Sequence, residues 1–228
     1  MPETAAADNR QAGETVSAAP RSRKGEQSRA RLLEAAREVF ERDGFLTARI
    51  SDIAASAGMA QGSFYHYFDS KEQIFRELAE EQERRLVAPP DEPTSVGTGD
   101  PVERTIEGDI RRYLERYRDA ARLMGVIEQV SRYDEQVSAA RMATQQHFAD
   151  QAEQTVRALQ AKGLVAEYLN PTIASDALTV MVARFAELWL VQRYREYDFD
   201  EVVEQLTILC VNALGASRVS PPSNRRRR

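Results

Sequence analysis

The chain has 228 residues, of which 42% are hydrophobic, with only 11 Gly and 9 Pro; that suffices for a core and favours helices over a turn-rich β architecture. A formal net charge of −5 excludes a uniformly basic body, and the single cysteine, Cys210, excludes an internal disulfide. No run approaches the ~18 to 20 apolar residues that cross a bilayer, and the polar start lacks the apolar core of a signal peptide, so a cytoplasmic protein without membrane contact is expected.

Residues 1–22 are rich in Ala, Glu, Ser, Thr and Gly without apolar periodicity, the composition of a disordered arm. Charge is uneven from there on. Between Arg21 and Arg37 six bases face two acids. Phosphate attraction is screened within ~10 Å, so this local excess matters more than the total. Arg23 and Lys24, at the basic end of the arm, are candidate DNA contacts. A first helix is predicted over 25–43, with Leu32, Leu33, Ala36, Val39 and Phe40 forming one buried stripe. Gly44 ends it, and Phe45 and Leu46 are expected to plug the small core below.

The stretch from Ile50 to Glu72 is the most informative. Ile50, Ile53, Ala54 and Ala57 share one helical face, and Gly58 supplies the left-handed conformation that ends a helix sharply. A second short helix is predicted over 61–67. Phe64 and Phe68 lie four apart on its inward side. Gln61, Ser63, Tyr65, His66 and Tyr67 therefore point outward, and all of them can hydrogen-bond. Such a helix, anchored on two aromatics and displaying polar tips, suits a DNA major groove. The next helix starts with a capping-box pattern, either Asp69 with Glu72 or Ser70 with Gln73. Ile74, Phe75, Leu78 and Ala79 carry its buried face, and Pro89-Pro90 stops it. Lys71 sits in its first turn, where a cation opposes the helix dipole, a cost that a nearby phosphate would offset.

Residues 88–100 read as a linker. Its Gly97 and Gly99 are not a phosphate loop, because no strand precedes them. A helix then opens at Pro101 with Ile106, Ile110, Tyr113, Leu114 and Tyr117 on its inner stripe. A short apolar segment, 123–130, follows, and then a long, mostly polar helix over 135–162 ended by Gly163. Pro171 opens another helix. From Ala177 to Val191 nearly every face is apolar, which requires cover on all sides and implies a second subunit. The last helix, 199–214, adds Val202, Leu206, Leu209 and Cys210. Arg225–Arg228 close a basic tail, expected to be disordered.

Catalytic constellations are scarce. His66 and His147 are the only histidines, and neither has Glu three positions earlier, as a di-iron Glu-x-x-His motif needs. No metal cluster or Cys/His nucleophile pair can be assembled. Cys210 on an apolar stripe reads as core, and His147 as an ordinary helix residue or a pocket polar group.

Ile53-Ala54, Ala57-Gly58, Gly62 through Phe68, and Ser70-Lys71-Glu72 together resemble the helix-turn-helix signature of TetR-family transcriptional regulators, over roughly residues 28–78. Arg49 and Ala60 depart from it, standing where family members often carry a Ser or Thr N-cap. The resemblance implies an all-α fold: an N-terminal three-helix helix-turn-helix DNA-binding domain (23–70), and a C-terminal helical bundle for ligand binding and dimerisation (71–216), with 71–87 as connecting helix and 217–228 as tail. It implies a cytoplasmic homodimer, most simply a repressor and not an enzyme, binding a palindromic operator in double-stranded DNA and released by a small apolar or acyl inducer, with no cofactor or metal. The DNA-binding set would be Arg49, Ser51, Gln61, Gly62, Ser63, Tyr65, His66, Tyr67 and Lys71. Pocket candidates are Tyr113, Tyr117, Met124, Ile127, Met142, Phe148 and Phe185; interface candidates are Leu178, Met181, Leu188, Trp189, Leu206, Leu209 and Cys210. The rival reading is a helical small-molecule-binding protein or enzyme with a vestigial helix-turn-helix.

Overall fold

The computed structural model describes residues 23–89 and 101–216. The expected arm, the linker beyond Pro89 with its Gly97 and Gly99, and the basic tail lie outside the described residues. Among those described there are nine α-helices and no strand. Helix α1 spans Arg23–Thr47, α2 Ile50–Ser56, α3 Gln61–Phe64 and α4 Lys71–Val87. The body follows with α5 (Pro101–Asp119), α6 (Ala121–Val130), α7 (Glu135–Ala161), α8 (Pro171–Ala186) and α9 (Phe199–Ala213). A π-helical turn, Glu187–Val191, continues α8. No helix is long and apolar enough to cross a membrane among the described residues.

The expected helices form for the expected local reasons. Regular α1 breaks at Gly44, whose φ of 73° is outside the helical range. Of the two possible capping boxes it is Ser70 that caps α4, accepting from the Gln73 N–H, while Gln73 reaches back to the Asp69 N–H. Asp134, Asn170 and Asp198 cap α7, α8 and α9 in the same way. Arg23 and Lys24 are an exception to the sequence reading: both belong to the first turn of α1 and not to a flexible arm. Leu46 is another. Phe45 plugs the core, but Leu46 points outward at 83% exposure, since residues after a helix break no longer follow its periodicity.

One continuous core runs through both units. Phe40, Phe45 and Phe75 pack as a trio with ring centroids 4.9 to 5.7 Å apart, a spacing that favours edge-to-face contact. Phe75 belongs to α4, so α4 completes the small N-terminal core. The same helix also packs against α7 and α5. Polar ties repeat this double membership. Arg29 of α1 holds Glu77 with both guanidinium ends and covers the Phe68 ring. Arg37 of α1 donates to Gln82. On the other side Arg76 pairs with Asp134, the α7 cap, at 2.9 Å. The boundary expected between Ser70 and Lys71 therefore falls at the start of a helix that both cores share.

Glu83 is the costly member of this helix. It is buried against α7, where it meets the Thr144 hydroxyl and the positive charge of Arg141, while its Oε1 has no hydrogen-bond partner. Burial pushes its carboxyl above the usual carboxylate range, and Thr144 and Arg141 only partly oppose this. A raised folded-state pKa means that the folded state holds the proton more tightly, so stability is lost as pH rises from the ordinary Glu value through the raised one. Glu83→Gln should therefore melt above the wild type at pH 7.5, and the gap should close as pH falls towards about 4, near the unfolded Glu value. Thermal denaturation of both proteins across that range is the check; a variant that melts lower at neutral pH would show that Glu83 is a net stabilising anion.

Candidate nucleic-acid interface and internal cavity

Helices α2 and α3 meet at a tight turn. Gly58 adopts φ +67°, the Met59 N–H reaches the Ala54 carbonyl at 2.8 Å, and the Gly58 N–H reaches that of Ala55 at 3.0 Å. This paired closure of a helix end requires a left-handed residue at Gly58. Regular α3 is only Gln61–Phe64, and the chain continues in turns through Tyr67, so the helix is shorter than the 61–67 expected. Phe64 and Phe68 are fully buried with centroids 5.7 Å apart. They fix which side of α3 faces out.

Arg49, Ser51, Gln61, Gly62, Tyr65 and His66 are exposed, and Ser63 is half-exposed. Tyr67 is half-buried and packs against the core, so its ring serves the fold as well as the surface. Neither Arg49 nor Ala60 provides a side-chain cap. The first N–H groups of α2 and α3 therefore have no side-chain acceptor of that kind. Gly62 has no heavy atom within 4 Å of where a Cβ would stand, and its φ is not positive. Nothing inside the protein requires glycine there.

Lys71 has partners inside the protein. Its Nζ donates to the carbonyls of Phe45 at 2.8 Å and Ala48 at 3.0 Å, with Leu46 at 3.5 Å. It also lies 4.6 Å from the centre of the Phe45 ring. An ammonium has three protons, and three acceptors surround this one. The carbonyls at the end of α1 and before α2 offset the unfavourable start-of-helix position within the protein itself. The basic patch is thinned in the same way, since Arg29 and Arg37 are tied to α4.

In the body, a cavity of about 630 Å³ lies between the end of α4 and helices α5, α7, α8 and α9. Of the seven pocket candidates, Tyr113 and Phe148 line it, with their rings in edge-to-face contact at 5.1 Å. Tyr117, Met124 and Ile127 are buried in the core instead. Met142 is 66% exposed on the outer side of α7, and Phe185 joins an aromatic cluster with Trp189 and Tyr197. Burial pushes the Tyr113 and Tyr117 hydroxyls well above their ordinary value. Leu178 and Cys210, expected at a subunit interface, line the cavity. Burial pushes the Cys210 thiol up to about 11, which leaves little reactive thiolate. Sequence reasoning missed Arg112, Arg116, Gln145 and Ser175, all on the cavity wall. Polar residues on an amphipathic helix carry no signal that tells a cavity from solvent.

The other interface candidates also divide. Trp189, Leu206 and Cys210 are covered within the subunit, Met181 and Leu188 are half-buried, and Leu209 is 53% exposed. Ile173 at 67%, exposed Ala177 and Val180 at 51% make an outward stripe on α8, and Ile208 and Leu209 make one on α9.

A short helix held by two aromatics, turned outward by a glycine-closed corner and built on a helical body, defines a helix-turn-helix protein. Residues 32–78 match the family model described as bacterial regulatory proteins, tetR family. An uncharacterised helix-turn-helix regulator of Bacillus subtilis, YdgC, is 54% identical over 55 residues, which are 24% of this chain and 28% of that relative. The chain thus spans under a third of the length of that curated relative. Beyond this unit the likeness is one of fold. The fatty acid degradation regulator FadR of Bacillus halodurans superimposes with a TM-score of 0.63 at 19% identity, covering 80% of this chain and 94% of that one. FadR of Bacillus subtilis, solved in complex with stearoyl-CoA, gives 0.63 at 18% identity over 81% of this chain and 98% of its own. Residues 32–78 are thus similar to the helix-turn-helix unit of the tetR family, and the rest of the described chain shares the fold of these solved regulators.

Lys71→Ala should reveal its internal role. Removing a charged donor from carbonyls costs about 1.5 to 3 kcal/mol when they are buried, and less at this half-exposed site. A melting temperature lowered by a few degrees is expected, at about 2 to 4 °C per kcal/mol for a chain of this size. The salt dependence of binding to any duplex DNA should not change. Unaltered melting with a salt slope reduced by roughly 0.9 would instead make Lys71 a phosphate contact.

Proposed function

We propose that this chain is a homodimeric DNA-binding transcriptional regulator of repressor type. In this reading the α3 helices of two subunits enter major grooves of a palindromic operator about one helical turn, ~34 Å, or a multiple apart. A small molecule in the cavity shifts α4, which changes the separation of the two α3 helices and releases the DNA.

The observation that carries the reading is Gly62. A glycine inside a helix costs roughly 0.5 to 1 kcal/mol relative to alanine, and no neighbouring atom excludes a Cβ there. A benefit from outside the subunit accounts for it: the bare backbone lets a duplex approach the start of α3 closely. Gln61 and Ser63 flank it. Gln pairs with adenine through N6 and N7, and Ser bonds either kind of base. Tyr65 and His66 extend the face, and Arg49 and Ser51 on the α2 side are suited to phosphates, which position the protein without reading sequence. Arg23, Lys24 and, to a lesser degree, Tyr67 border this face.

The outward stripes on α8 and α9 support dimerisation. Two such stripes from each of two subunits would cover one another as a four-helix interface. Leu209, Ile208, Val180 and Ile173 take the place in it that the sequence reading gave to Trp189, Leu206 and Cys210. The apolar cavity supports an apolar or amphipathic effector, as does the occurrence of the same fold in a FadR solved with stearoyl-CoA.

Two expected outcomes test this. Gln61→Ala should cost ~1 to 3 kcal/mol on the preferred operator, the scale of one good bidentate pair, and almost nothing on random DNA. A competition titration against operator variants changed one base pair at a time, starting from DNA upstream of the chain's own gene, reads this out. If wild type and variant rank the sites identically, Gln61 reads no base; if the wild type shifts no specific site at all, the proposal fails. For assembly, Leu209→Glu should give folded monomer without operator binding, because burying an unpaired charge costs several kcal/mol. Sedimentation of an undiminished dimer would move the interface elsewhere.

A further inference from the structure

The cavity wall is apolar over most of its extent, with Leu86, Ile106, Ile110, Phe148, Leu178 and Val182 contributing to it. Two polar atoms on that wall are buried without a hydrogen-bond partner: Nη1 of Arg112 on α5 and Oγ of Ser175 on α8. Buried polar atoms of this kind are rare, and each carries a desolvation cost until an acceptor or donor meets it.

The neighbouring charges narrow what can meet them. Arg116, one turn along α5, directs its guanidinium to the carbonyls of Leu86, Ala88 and Pro89 at the end of α4. It is occupied with capping that helix. Arg112 pairs through Nη2 with Asp109. Asp109 also lines the cavity, but its side chain is 61% exposed and it meets only Nη2, leaving Nη1 without an acceptor. An arginine cannot shed its proton. Arg112 lines the cavity with a permanent positive charge and one guanidinium nitrogen that has no acceptor in the protein, and Ser175 on another wall carries a hydroxyl able to donate or accept.

We propose that the cavity takes an amphipathic carboxylate, with its anionic head on Nη1 of Arg112, a polar contact to Ser175, and its apolar body along α5, α7 and α8. The proposal rests on reading this cavity as the effector site. A planar carboxylate matches the guanidinium fork better than a hydroxyl or an ammonium does. The volume, about 630 Å³, lies within the range of roughly 300 to 1,000 Å³ typical of small-molecule sites. Head and tail are then recognised by different groups, so the charge preference and the chain-length preference are separable.

Calorimetric titration of the wild-type protein with decanoate, 1-decanol and decyltrimethylammonium, three probes with one ten-carbon chain, tests the charge preference without any variant. A charge-assisted hydrogen bond in a buried site corresponds to about tenfold or more in affinity, so decanoate should bind at least about tenfold tighter than either other probe. Arg112→Gln should remove that advantage and leave decanol binding within about threefold of wild type, the scale of an ordinary contact change. Equal affinity for decanoate and decanol, preference for the ammonium, no binding of any probe, or decanoate binding that survives Arg112→Gln would each overturn the proposal. Duplex DNA binding by the same wild-type preparation keeps the two readings apart. Protein that shifts DNA but takes no decanoate fails this inference alone. Protein that takes decanoate but shifts no DNA fails the regulator reading and leaves the carboxylate site standing.

Discussion

The structure depends on the shared burial of one helix. The first half of α4 closes the small N-terminal core through Phe75 against Phe40 and Phe45, and its second half is packed into the body against α7 and α5. A unit of some fifty residues buries too little surface to be robust alone, so it takes stability from the body through α4. Both units therefore pack on one helix. Lys71 at one end holds the turn below the helix-turn-helix, and Arg116 holds the carbonyls at the other end, ~25 Å away for a helix of this length.

This arrangement explains why polar ties concentrate on α4. Arg29–Glu77 and Arg37–Gln82 look towards α1, and Arg76–Asp134 and Glu83–Thr144 look towards α7. Exposed ion pairs contribute little to stability, but pairs at fixed positions along one rod set its axial and rotational register. A buried, partly unsatisfied Glu83 is costly for the fold.

The cavity and the α8–α9 surface illustrate a second constraint. Helix α8 is apolar on more than one side because its sides meet different things: Leu178 and Val182 face the cavity, whereas Ile173 and Val180 face outward. Apolar character alone cannot distinguish a core wall, a ligand wall and a subunit interface, since all three are favoured by the same loss of water contact. Direction decides among them, and direction is a property of the assembled bundle.

The sequence by itself determined what short-range physics controls. Gly58 had to close the α2–α3 corner, Phe64 and Phe68 had to turn inward, and Ser70 with Gln73 was suited to cap α4; each depends on neighbours within about one turn. Helix ends were read to within a few residues for the same reason, and the outward set around Gln61 and Gly62 followed directly. The tertiary structure decided what depends on distant segments. Leu46 turned to solvent, the Lys71 ammonium found carbonyls more than twenty residues earlier, and Met142 faced outward while Arg112 and Ser175 met at one cavity. That cavity draws on helices from α4 to α9, and no local pattern records which sides of five helices converge. Periodicity gives a helix its faces, and only packing assigns each face its neighbour.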